Sequence, residues 1–152
     1  MTEKESLTPA VEEARLRRDE LRFALGTFER ATTAALAGPG WTAGVRSGLD
    51  QLAGAFDNHV VVTEGFDGLY AEILERAPRL ARAVERLREE HGELHRMIQD
   101  VKGRMSAGEL DEAAREEVRE VALALLAAFV RHRHRGADLV YEAYNLDIGA
   151  GD

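Results

Sequence analysis

Apolar side chains recur along this chain at alternating spacings of three and four residues, as they do in helices that bury one stripe. The first stripe reads Ala14, Leu21, Leu25, Phe28, Thr32 and Leu36, with Arg18 interrupting it. Thr8-Pro9 ahead of it is a helix start, a hydroxyl cap followed by proline where no amide donor is needed. Gly38-Pro39-Gly40 is a stop, so a helix is expected over 8–37. The second stripe, Val45, Leu49, Leu52 and Phe56, turns polar at His59 and Thr63. Gly65 and Gly68 follow, which predicts a helix over 42–76 with a break near 65–68. After Pro78 the third stripe runs Leu80, Val84, Leu87, His91, Leu94, Ile98 and Val101, giving a helix over 78–103. Ser106 to Glu109 has the spacing of a capping box and opens a fourth helix over 109–145. Its stripe includes Val118, Leu125, Phe129, His132, Gly136, Leu139 and Tyr144, and a polar tail, 146–152, follows it. No segment alternates with period two. Four amphipathic helices on short turns predict an all-α chain with one domain over 1–152, an antiparallel up-down-up-down four-helix bundle.

Every stripe turns polar at one level. Counted from a shared end of the bundle at about 1.5 Å per residue, Arg18, His59, His91 and His132 agree in depth within about a turn. The four seams therefore place a polar layer inside the core. His91 and His95 lie four residues apart, so both imidazoles can point at one atom. A metal ion is one partner for histidines so spaced. The alternative is neutral core histidines bonded to backbone, to Thr63 or Tyr144, to buried water or to each other. His134 and Asp138 share the spacing, but His134 is directed away from His132, beside Arg131, Arg133 and Arg135, and reads as surface. A glycine at 136 on the seam suggests that Arg18 or the His59 ring packs against it.

Composition narrows the classes. With 20 basic and 28 acidic residues the 152-residue chain has a formal net charge of −8, which attracts neither nucleic acid nor an anionic membrane. It has no cysteine, which removes disulfides, thiolate metal sites and thiol catalysis together. No apolar run approaches the ~18 residues of a spanning helix, and the polar first residues show no signal-peptide pattern, so a cytoplasmic protein is expected.

His59, the run Glu90-His91-Gly92-Glu93-Leu94-His95 and His132, set in this helical frame, resemble the hemerythrin-like, or HHE cation-binding, family. The C-terminal Glu142 to Gly149 is similar to one branch of it. The resemblance implies a non-haem di-iron centre inside the bundle, held by five histidines and two bridging carboxylates, that binds O₂ or related small molecules. His91, His95 and His132 match the three-histidine side and His59 the other. Arg18 stands at the helix-one histidine position, and Thr63 and Gly136 stand at the carboxylate positions. Glu64 is a neighbouring carboxylate turned about 100° from the seam, too far to substitute without distorting the helix. The expectation is therefore a binding protein and not an enzyme. His59, His91, His95 and His132 would hold at most one ion, non-haem iron or another divalent metal. Arg18, Thr63, Glu64 and Gly136 would line the rest of the site, with O₂, NO or redox sensing as the role. The alternative is a metal-free scaffold, or a small-ligand or interaction module in which Arg18 replaces metal charge. A ferritin-like di-iron oxidase fits poorly, because its sites are rich in carboxylates.

Overall fold

The computed structural model describes residues 7–145. Helix α1 spans Pro9–Thr33, and the Thr8 hydroxyl accepts from Val11 N at 3.2 Å to cap it. It ends at Thr33, short of the Gly-Pro-Gly stop, because Ala34 is already extended. Helix α2 spans Trp41–Glu64, and the Trp41 indole donates to Thr32 O at 3.3 Å across the turn. Gly48 lets α1 and α2 approach closely, since a Cβ there would stand 3.3 Å from Phe28 Cα. At the expected break, a Cβ on Gly68 would meet three carbonyl oxygens at 2.8–2.9 Å, which only glycine avoids. Helix α3, Leu69–Arg76, follows, then a 3₁₀ turn at Pro78–Leu80, helix α4 at Ala81–Met105 and helix α5 at Glu112–Tyr144.

The cap of α5 is not the one expected. Ser106 belongs to the end of α4, where its hydroxyl donates to Gly103 O at 2.7 Å. Gly108 then turns the chain with φ +85°, and Asp111 caps α5 by accepting from Ala114 N at 2.8 Å. Aspartate is as good a cap as serine, and the left-handed glycine separates the two helices before the capping box can form.

Contacts at the helix ends pair the long helices end for end. Arg115, early in α5, donates to Leu36 O just past α1. Tyr144 at the end of α5 and Thr8 at the start of α1 both donate to Glu72 of α3, Thr8 at 2.7 Å. Arg46 near the start of α2 donates to Met105 O at the end of α4 at 2.7 Å. Two apolar clusters fill the interior. One holds Leu21, Phe28, Phe56, Leu94, Leu125 and Phe129, and the other holds Ala14, Ile73, Leu87, Leu139, Val140 and Tyr144. On each long helix the polar seam residue lies between members of the two clusters: Arg18 between Ala14 and Leu21, His91 between Leu87 and Leu94, His132 between Phe129 and Leu139, and His59 just beyond Phe56. The polar layer is thus a partition across the core. No helix among the described residues is long and apolar enough to cross a membrane.

Candidate metal centre

Three helices deliver one imidazole each into this layer. His59 from α2, His91 from α4 and His132 from α5 each offer a ring nitrogen, all within 4.8 Å of one another. The inner nitrogens are the Nε2 atoms. His91 Nε2 is 3.0 Å from His132 Nε2, and His132 Nε2 is 3.4 Å from His59 Nε2. His91 and His132 are buried, and the rings cross edge to face with Phe56 and Phe129 closing one side. Tyr70 of α3 stacks on His91 with its hydroxyl 3.5 Å from Nε2.

The outer nitrogens are fixed by carboxylates. His91 Nδ1 is 2.5 Å from Glu64 Oε2, and His132 Nδ1 is 2.8 Å from Glu90 Oε1. Arg88 lies 3.6 Å from Glu64, and Arg135 pairs with Glu90. A carboxylate accepts only, so each Nδ1 carries the proton and each Nε2 is left with its lone pair pointing inward. Two such lone pairs facing each other at 3.0 Å repel unless a proton or a cation is shared between them. A proton is disfavoured. Burial pushes His91 down to about 3, with the charges of His132 and Arg88 adding to the effect. Burial also lowers His132, against the hydrogen bond and charge of Glu90, and holds His59 well below its ordinary value. Neutral rings with inward lone pairs are the state that ligates a metal, so the residues present fit a cation.

Several expectations need correction. His95 is exposed and stands outside the group. Apart from Glu90, the buried positions of α4 run Val84, Leu87, His91, Leu94, Ile98, Val101 and Met105, a three-four repeat that leaves the residue after Leu94 on the flank. Gly136 is not crowded, since a Cβ there would meet nothing within 4 Å. Glu64 does reach the site, from the last turn of α2, but at the outer nitrogen of His91. Thr63 is buried and donates to His59 O at 2.8 Å, not to an imidazole. The Tyr144 hydroxyl is engaged with Glu72 at the far end of the bundle. Glu90 and Tyr70 were not singled out from the sequence. Glu90 sits beside His91 among many surface acids, and only its burial separates it from them.

Arg18, Thr63 and Gly136 come together. With His59, Tyr70 and His132 they line a single cavity of about 50 Å³ beside the imidazoles. Arg18 has 14% of its side chain exposed, and its Nη2 donates to Asp19 at 3.2 Å on the outer side.

No curated protein matches the chain. No solved structure matches it either. The family model of the hemerythrin HHE cation binding domain matches residues 19–144, which carry all three converging histidines, and the chain belongs to that family.

Proposed function

We propose that this chain binds a single divalent transition-metal ion through Nε2 of His59, His91 and His132. The convergence of the three inner nitrogens, two of them oriented by carboxylates, carries this reading. Imidazole suits iron, zinc, copper and nickel, and the family's typical iron makes non-haem iron the first candidate. When bound, such an ion supplies a Lewis-acidic or redox-active centre with an exchangeable position. Glu64 and Glu90 orient the rings, the Tyr70 hydroxyl offers a hydrogen bond at the edge of the site, and the apolar clusters exclude bulk water. The role is small-molecule (O₂, NO or redox) sensing and not catalysis, because the nearby carboxylates are held on the outer nitrogens and the adjoining cavity admits only a small ligand. The metal and that ligand are the partners, without nucleic acid or membrane, and the setting is cytoplasmic.

Elemental analysis of the purified protein, with and without added Fe²⁺ or Zn²⁺, tests the reading. One ion per chain is expected, lost in His132→Ala and kept in His95→Ala. Two irons with the charge-transfer bands of a bridged centre, or no retained metal under any loading, would overturn it.

A further inference from the structure

Tyr70 brings an oxygen to the inner side of the imidazole layer. It is buried on the first turn of α3, whose start is fixed by the close packing of Gly68 against three carbonyl oxygens. Its ring stacks on His91 at an interplanar angle of 18°, and its hydroxyl is 3.5 Å from Nε2, the nitrogen that faces His132. An O–H group donating to a free ring nitrogen closes to about 3 Å or less, so 3.5 Å is a poor hydrogen bond. It is an ordinary spacing for two donors on one ion, because bonds of about 2 Å each set ligand atoms roughly 3–4 Å apart. The three gaps, 3.0 Å from His91 to His132, 3.4 Å from His132 to His59 and 3.5 Å from Tyr70 to His91, all fall in that range. Charge supplies a second argument. Oxidation of bound Fe²⁺ leaves a trivalent ion among neutral imidazoles in an apolar core, which is costly without an anionic partner. The nearby carboxylates are engaged at the outer nitrogens, Glu64 with His91 and Arg88, and Glu90 with His132 and Arg135. Tyr70 can supply a hard anionic oxygen from the inner side.

We propose that Tyr70 is the fourth ligand of a ferric ion in this site, its phenolate oxygen joining Nε2 of His59, His91 and His132. The inference rests on the three-histidine reading and adds to it a built-in preference for the ferric state. In the ferrous form the neutral hydroxyl keeps its place at the edge of the site. Burial pushes the phenol above its ordinary range in the metal-free chain, against the charge of Arg88, so the proton leaves only as the iron–oxygen bond forms. One proton passes to solvent per ion, and the electron removed from Fe²⁺ passes to a one-electron oxidant such as ferricyanide.

The test is spectroscopy of the full chain loaded with Fe²⁺, oxidised with one equivalent of ferricyanide and desalted. An intense visible phenolate-to-iron charge-transfer band is expected, with phenolate ring modes enhanced in the resonance Raman spectrum excited within it. Tyr70→Phe should keep its iron, lose both signals and show a higher reduction potential, because the ferric form has lost its anionic ligand. Tyr141→Phe and Tyr144→Phe, which change the other two tyrosines of the chain, should alter neither signal. If Tyr70→Phe does not fold, the wild-type spectrum decides, with those two variants excluding the other phenols. A ferric wild type that keeps its iron without phenolate modes, loss of the iron on oxidation, or a band that persists in Tyr70→Phe would overturn the proposal. Each of these leaves the histidine site standing, because ferrous iron retention is measured separately. A wild type that retains no iron at all overturns both readings together.

Discussion

Acidifying the metal-free protein below about pH 6.5 should destabilise it. Burial holds His91 at about 3 in the folded chain, whereas an unfolded chain returns it to about 6.5. Below 6.5 the unfolded state therefore takes up a proton that the folded state refuses, and stability falls as pH falls. Above 6.5 the contribution is fully present; it is lost progressively toward pH 3 and then levels off. Between pH 7.5 and 5.5 the loss from His91 alone is about 1.4 kcal/mol, one pH unit's worth below the unfolded value. His59 and His132 are shifted in the same direction and add to it. For a chain of this length ~1.4 kcal/mol corresponds to a fall in melting temperature of roughly 3–5 °C. Urea unfolding followed by circular dichroism at pH 7.5, 6.5 and 5.5, after EDTA treatment, measures it. His91→Leu should remove about 1.4 kcal/mol of the pH dependence whatever it does to absolute stability. Equal unfolding midpoints at pH 7.5 and 5.5, or an undiminished slope in His91→Leu, would show that the rings are not held neutral in the folded chain.

Other outcomes follow from the same geometry. Gly136→Ala should raise stability by about 1 kcal/mol, the helix-propensity gain with no clash to offset it, and a lowered melting temperature would mean that the cavity is smaller than it looks. Glu64→Gln and Glu90→Gln should each weaken metal binding by about 10- to 100-fold, as loss of an orienting carboxylate does, measured by competition with a chromophoric chelator. Unchanged affinity in both would make the two carboxylates mere surface partners of Arg88 and Arg135.

The fold was legible because the stripes are regular. Spacing alone placed the long helices, and the polar interruptions at Arg18, His59, His91 and His132 marked one depth on each. Three features were not legible. His95 shares a helix turn with His91, and an i,i+4 pair looks alike whether the buried stripe is broad or limited to a three-four seam; only the packing of α4 decides that. Glu64 looked misplaced by about 100° on an ideal helix, yet it is the last residue of α2, before Gly65 redirects the chain, so its side chain can turn toward α4. Tyr70 lies on an eight-residue helix between glycines and a proline, and a segment that short carries no register from which its docking could be derived. Side chains at helix ends and on short connecting helices are placed by tertiary contacts, which a one-dimensional pattern does not contain.

The layer as a whole is asymmetric, and the asymmetry bears on how many cations it can hold. On one side, His91 and His132 present oriented nitrogens backed by Glu64 and Glu90. On the other, Arg18, Thr63 and Gly136 line a common cavity with no acidic residue among its described lining residues. Two divalent ions about 3.5–4 Å apart need an anion between them, and neither a hydroxyl bonded to His59 O nor a glycine supplies one. The permanent charge of Arg18, one of the residues lining that cavity, raises the cost of a second cation further. The departures therefore do not act as three separate losses. Against the arrangement that the family resemblance implies, they put a fixed charge, a hydroxyl and an open volume where one histidine and two carboxylates would stand, which favours one cation over two. Restoring the acids tests that logic directly. Arg18→His with Thr63→Glu and Gly136→Glu should fill the cavity and raise iron loading toward two per chain. A triple variant that folds but still takes a single ion would show that the charge at Arg18 was not what limited it.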